Sequence, residues 1–234
     1  MISHILKGIS TGTYKSILCL DGNLGNLKDV HDAFGLPLVV ADGAANRIVA
    51  FGLDPYLVIG DLDSVDSEIL LRFDHLKLDN QDTSDFQKAV SYMKENALLP
   101  SIILGISGGN IDHIINNVNI FLSCNDSIFI DEDVVGIKIS DTEKRLRLPV
   151  DTKLSIIGMP ECRVTTFGLK WELKAADLAF AACPSTSSLF GYSSYFNRTV
   201  TENIMIEVTS GTALLVIYTR EILDAGCKLH YAAK

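Results

Sequence analysis

The chain is short of positive charge. Its 234 residues carry 20 Lys and Arg against 29 Asp and Glu, a net charge of −9. An acidic surface repels a phosphate backbone, which excludes nucleic acid as the main partner, and any bound polyphosphate must be neutralised by a metal ion or by local basic groups. Paired cysteines are lacking too. Cys19, Cys124, Cys162, Cys183 and Cys227 are odd in number and none forms a Cys-x-x-Cys pair. This excludes a zinc ribbon and points to free thiols in a reducing cytoplasm. In that compartment the sequons at Asn125 and Asn197 are chance matches. The four histidines other than His113 show no metal-ligand spacing. No apolar run reaches the ~18 residues of a membrane helix, and Met1 to Lys7 lacks a basic region followed by a long apolar run, so neither membrane nor signal peptide is expected. Gly-Lys-[Ser/Thr] is absent, which excludes a Walker phosphate loop. No nucleophile elbow and no Cys/His pair speaks for covalent catalysis.

What is present is apolar material for packed cores, 47% of the chain, in a length that suits two small domains. The first half alternates strands with helices. Strands are expected over Ser16 to Leu20, Leu38 to Val40, Tyr56 to Gly60 and Ser101 to Gly105. Helices are expected over Leu27 to Phe34, Ala44 to Phe51, Ser67 to Phe73, Asp85 to Asn96 and Ile111 to Cys124, with Ser67 capping the third and Thr83 or Ser84 the fourth. Such alternation implies a parallel sheet covered on both faces. After about Asn125 the period changes. Val134 to Ser140, Lys153 to Gly158, Arg163 to Phe167, Asp177 to Ala182, Ile204 to Val208 and Ala213 to Tyr218 read as strands with no helix between. The expected fold is an α/β domain over residues 1–130, followed by an antiparallel β-sandwich over 131–234.

The acidic residues fall at strand ends. Asp42 follows the second strand; Asp61 and Asp63 follow the third; Asp82 and Asp85 stand at the mouth of the next helix. In an open parallel sheet, ligands bind beyond the carboxyl ends of the strands, so three loops deliver carboxylates to one edge. Crowded carboxylates repel unless a hard cation sits among them, and Mg²⁺ takes one or two carboxylates plus phosphate oxygens and water. Taken singly, each aspartate reads as a cap or a solvated turn. A glycine-rich loop, Gly105-Ile106-Ser107-Gly108-Gly109-Asn110, precedes the helix that carries Asp112 and His113 and offers backbone amides to phosphate.

These segments resemble thiamine pyrophosphokinases along nearly the whole chain. Ala41 to Arg47, which contains Asn46, is similar to the family's Ala-Asp-Gly-Gly-Ala-Asn-Arg. Gly60 to Ser64 matches Gly-Asp-Leu-Asp-Ser, and Asp79 to Phe86 matches Asp-x-x-Asp-x-x-Asp-Phe. Gly108 to His113 resembles Gly-Gly-Arg-x-Asp-His, and Gly168 to Leu173 matches Gly-Leu-Lys-Trp-x-Leu. The resemblance implies ATP, Mg²⁺ and thiamine as ligands, transfer of pyrophosphate to thiamine with release of AMP, and a homodimer whose active sites use both chains. It implies Asp61, Asp63 and Asp85 as metal-binding and catalytic carboxylates, with Asp42 beside them. Gln81, Asp82, Thr83 and Ser84 share the matching loop, and Gly108 and Gly109 its phosphate turn. Asp112 is expected to meet the aminopyrimidine, with His113 beside it, and Trp171 to pack on thiamine. The only tryptophan of a small β domain otherwise reads as core. Asn110 stands where the family has Arg, which leaves Arg47, Lys88 and Lys170 as candidate phosphate contacts. The family's late Ser-Asn pair aligns with Ser187-Ser188 or Ser193-Ser194, with Ser replacing Asn, and the insertion from Leu189 to Tyr195 is unfamiliar. Two rivals remain: another transferase with an Asp-x-Asp metal site, which leaves Trp171 without a role, and a thiamine sensor, which would have no need of intact carboxylates. An aspartate accepts the thiamine hydroxyl proton; which one stays open.

Overall fold

The computed structural model describes residues 13–181 and 196–219. Within them the chain forms two compact units, one ending at Glu132 and the other beginning at Asp133.

The first unit runs β1 (Ser16–Cys19), α1 (Leu27–Phe34), β2 (Leu38–Ala41), α2 (Ala44–Ala50), β3 (Leu57–Gly60), α3 (Ser67–Arg72), β4 (His75–Lys77), α4 (Asp85–Glu95), β5 (Ser101–Leu104), α5 (Ile111–Phe121) and β6 (Ile128–Asp131). Its strands lie in the order β6-β5-β1-β2-β3-β4, and every neighbouring pair is parallel. All residues of β1, β2, β3 and β5 are buried. Such strands need apolar residues on both faces, which is why each reads as an unbroken run such as Leu-Val-Val-Ala. Ile17 of β1 pairs with Leu38 on one side and Ile102 on the other. The chain therefore winds outward from β1 in both directions, and the loops after β1 and β5 part at a topological switch point, where such sheets form their ligand crevice.

Two strands of this unit were not expected. β4 is a three-residue edge strand with His75 and Lys77 exposed, so it has no apolar signature. β6 is a short apolar run whose place in the parallel sheet depends on pairing with β5. The N-cap of α3 is Asp66 and not Ser67. Helix α4 is fixed by a capping box: the Gln87 N–H donates to Ser84 Oγ at 3.3 Å, and the Ser84 N–H donates to Gln87 Oε1 at 3.0 Å.

The second unit consists of β7 (Val134–Arg147), β8 (Lys153–Phe167), β9 (Ala176–Ala179), β10 (Asn197–Arg198) and β11 (Asn203–Tyr218). They pair antiparallel in the order β10-β8-β11-β7, with β9 on the free stretch of β8. Two pairs of expected short strands are thus single long ones. The ladder does not break between Val208 and Ala213; it shifts register there. Gly211, at φ 77°, sits where a Cβ would lie 2.2 Å from the Glu161 carbonyl oxygen. A bulge of this kind bends a strand without ending it, and sequence punctuation alone reads it as a turn. Among the described residues no helix is long and apolar enough to cross a membrane.

Candidate active site

Asp42 leaves β2 at φ 29° and is only 7% exposed. It lies over Gly60, the last residue of β3, where a Cβ would come within 2.6 Å of the Asp42 Cβ. Only glycine leaves the room. Asp61 and Asp63 follow directly, and one carboxylate oxygen from each of Asp42, Asp61 and Asp63 lies within 4.8 Å of the other two.

The loop carrying two of these carboxylates is held by its neighbours. Gln81 Nε2 donates to Asp61 Oδ2 at 3.1 Å, the Asp63 N–H to Asp61 Oδ1 at 3.3 Å, and Ser64 Oγ to Asp63 Oδ1 at 2.8 Å. Asn46 Nδ2 donates to the Ser64 carbonyl and Asn46 Oδ1 accepts from the Asp66 N–H, both at 3.0 Å. Asn46 and Gln81 therefore act on the loop that bears Asp61 and Asp63.

Burial, and then the charges of Asp85 and Asp61, push the Asp42 carboxyl above its usual pKa; the Ser64 hydroxyl pulls the other way. The Gln81 hydrogen bond, seconded by the Asp63 amide, holds Asp61 below the usual carboxylate range. Asp42 Oδ1 is buried and meets no protein donor. A buried carboxylate oxygen left without a donor, facing two more carboxylates, is costly unless a cation is bound. The all-oxygen donor set suits a hard divalent ion.

Asp85 adjoins this group from the first turn of α4, but its Oδ1 is ion-paired at 2.9 Å with the buried Lys88 Nζ. The oxygen cluster is completed by Asp42, where the sequence motif had singled out Asp85. A cleft of about 330 Å³ opens beside it, lined by Asp21, Asp42, Ser84, Asp85, Ser107 and His113 among others. Asp21 and Ser107 were missed. Asp21 follows β1 as Asp42 follows β2, a signal hidden by the Gly/Asn turn behind it. Arg47 is tied to this loop, 3.5 Å from Asp21 Oδ1 and hydrogen-bonded to the Gly22 carbonyl.

Gly109 lines the cleft, and Gly108 turns at φ 104°. Asn110 caps α5 without a side-chain hydrogen bond. Asp112 and His113 are both exposed, 3.9 Å apart, and of the two only His113 lines the cleft. Asp82 is exposed and outside the cleft, its N–H bound to Asn80 Oδ1 at 2.7 Å. Thr83 lines a separate hollow with Lys88 and Tyr92. In the second unit, Lys170 Nζ stands 4.9 Å over the Trp171 ring, and Trp171 is half-buried, unlike a core residue. Ser187, Ser188, Ser193, Ser194 and the Leu189 to Tyr195 insertion lie outside the described residues.

Fold and site define a class: an α/β protein that gathers carboxylates beyond the carboxyl ends of its parallel strands. Residues 37–130, which span β2 to β6, match the family model described as thiamin pyrophosphokinase, catalytic domain. Over that segment the chain is similar to thiamine pyrophosphokinases. It is 28% identical over 187 residues to thiamine pyrophosphokinase 3 of Oryza sativa subsp. japonica, covering 64% of this chain and 70% of that one. It is 25% identical over 216 residues to thiamine pyrophosphokinase 1 of Arabidopsis thaliana, covering 77% and 80%. Yeast thiamin pyrophosphokinase shares the fold at a TM-score of 0.73 and 16% identity, covering 91% of this chain and 89% of that structure. The enzyme from Geobacillus thermodenitrificans does so at 0.71 and 16%, covering 87% and 96%.

Because Gly60 makes room for Asp42, Gly60→Ala is expected to destabilise the protein by about 1–3 kcal/mol through overpacking. Mg²⁺ is expected to raise the thermal midpoint of the parent and not that of the variant. Unfolding scans with and without Mg²⁺ check both effects.

Proposed function

We infer that the chain is a thiamine pyrophosphokinase that moves pyrophosphate from ATP to thiamine, giving thiamine diphosphate and AMP. The observation that carries this reading is the Asp42, Asp61 and Asp63 cluster, which falls inside the segment matched by the family's catalytic-domain model. Asp42, Asp61 and Asp63 would hold Mg²⁺, which would neutralise the triphosphate and the charge that develops on it. Asp85, with Lys88 behind it, closes the triphosphate side, and the loop from Gly105 to Asn110 presents its amides to phosphate. The thiamine hydroxyl attacks the β-phosphorus as the bond to the AMP oxygen breaks, and the hydroxyl proton passes to a nearby carboxylate. Little covalent work falls to the protein, so alignment of the two substrates dominates.

The second unit, read as a β-sandwich, supplies Trp171 as a platform for thiamine and takes part in dimerisation, so that each active site draws on both chains. A reducing cytoplasm suits the buried thiols of Cys19, Cys124 and Cys162. Chromatography of a reaction with thiamine, ATP and Mg²⁺ tests the chemistry. Thiamine diphosphate with AMP is the expected pair. ADP with thiamine monophosphate would mean that a single phosphoryl group moves. Thiamine binding without turnover would favour a sensor.

A further inference from the structure

The loop from Gly168 to Leu173 carries the chain's only tryptophan, and its backbone is bound at almost every residue. Glu172 Oε1 accepts from the N–H groups of Gly168 at 2.6 Å and Leu169 at 3.0 Å, while Glu172 Oε2 accepts from Thr166 Oγ1 at 2.7 Å. The Lys170 N–H donates to the Arg198 carbonyl at 2.8 Å. At Trp171 itself both backbone groups go to one side chain. Asn197 Nδ2 donates to the Trp171 carbonyl at 2.8 Å, and Asn197 Oδ1 accepts from the Trp171 N–H at 3.2 Å and from the Arg198 N–H at 2.9 Å. Asn197 is 1% exposed. Its amide imitates one rung of a strand ladder, and it needs a donor and an acceptor side by side, which only a carboxamide has at this length. The indole itself is half-buried, with Lys170 Nζ 4.9 Å over its ring.

We propose that Asn197 is a positioning residue for thiamine: it fixes the backbone of Trp171 and so the plane of the indole on which the substrate stacks. The proposal rests on the reading of Trp171 as the thiamine platform. It also assigns an asparagine to the thiamine side of the protein in a chain whose Ser-Ser pairs had suggested that none was kept. A buried amide whose polar atoms are all engaged by a loop is an expensive device unless the orientation of that loop matters.

The test uses Asn197→Asp. It keeps the size and the acceptor, but sets an oxygen against the Trp171 carbonyl. Two readouts are taken: KM for thiamine and for ATP separately, and quenching by thiamine of the fluorescence of the single tryptophan. The expected result is a thiamine KM raised by about 5- to 30-fold, no more than loss of the indole platform itself would cost. The ATP KM should stay within about twofold and kcat should be largely kept, the pattern of lost substrate binding. The quenching midpoint should move with the thiamine KM. An unchanged thiamine KM, or thiamine and ATP constants that rise together, overturns the proposal. If parent fluorescence does not respond to saturating thiamine, the platform reading of Trp171 fails and the proposal with it. That outcome is recognisable before any variant is made. Should Asn197→Asp not fold, Asn197→Gln keeps donor and acceptor but displaces them by one methylene, and it carries the same comparison.

Discussion

Asp61→Asn and Asp63→Asn are each expected to lower kcat by roughly 10²–10³-fold, the usual cost of removing a preorganised contact that stabilises transition-state charge. The fold should survive, because both side chains stand on a loop beyond β3 and neither belongs to the core. The two variants differ in what else they disturb. Asp61 is also the acceptor for Gln81, so its substitution loosens the tie to the loop before α4. Asp63 receives only the neighbouring Ser64 hydroxyl. Steady-state kinetics at saturating Mg²⁺, with circular dichroism to check folding, decide the matter. Wild-type turnover in either variant would falsify the metal assignment.

A gain in activity is expected when two impaired proteins are mixed and assayed at low thiamine. Asp63→Asn damages the first unit of the chain and Trp171→Ala the second. If each active site pairs the first unit of one protomer with the second unit of its partner, a mixed dimer holds one site with both defects and one with neither. At low thiamine, co-expression should then raise activity above that of either variant alone, by an amount set by the share of mixed dimers. An aromatic face offers a flat cationic ligand stacking and cation–π attraction of ~1–2 kcal/mol, so on the proposed reading Trp171→Ala alone should show its damage chiefly in the thiamine KM. Mass spectrometry confirms that mixed dimers form. No gain over the single variants in their presence would mean that each site is built within one chain.

Some of this was legible in the residues and some was not, for physical reasons. Strands such as Leu38–Ala41 and Ser101–Leu104 announce themselves because burial on both faces forces an apolar run. The convergence of Asp42, Asp61 and Asp63 followed from their places after adjacent strands, since parallel pairing fixes where those ends lie. Side-chain partnerships were not legible. Nothing local says that Asp85 faces Lys88, that Asn46 holds the Ser64 carbonyl, or that Asn197 reaches back 26 residues to Trp171. Those contacts are made by the fold. β6 and the merging of β8 and β11 into long strands were missed for the same reason. A strand's length is set by the partner that satisfies its backbone, and Gly211 reads as punctuation until Glu161 is placed beside it.

The order of strands in the second unit bears on how the protein is made. β11, Asn203–Tyr218, is the last described strand in the sequence, yet it lies between β7 and β8. Its pairing with β7 joins Val134 to Tyr218 and Ser140 to Thr212, residues far apart along the chain. During synthesis β7 and β8 leave the ribosome well before the strand that joins them, each with unsatisfied N–H and C=O groups along its length. Exposed edges of this kind recruit other chains, and long-range pairings are slow to form. The first unit has all its strands by Asp131 and can close early. The second must wait until β11 has been made, so a nascent chain interrupted before Asn203 would carry a finished first unit and, in the second, β7 and β8 without the strand that joins them.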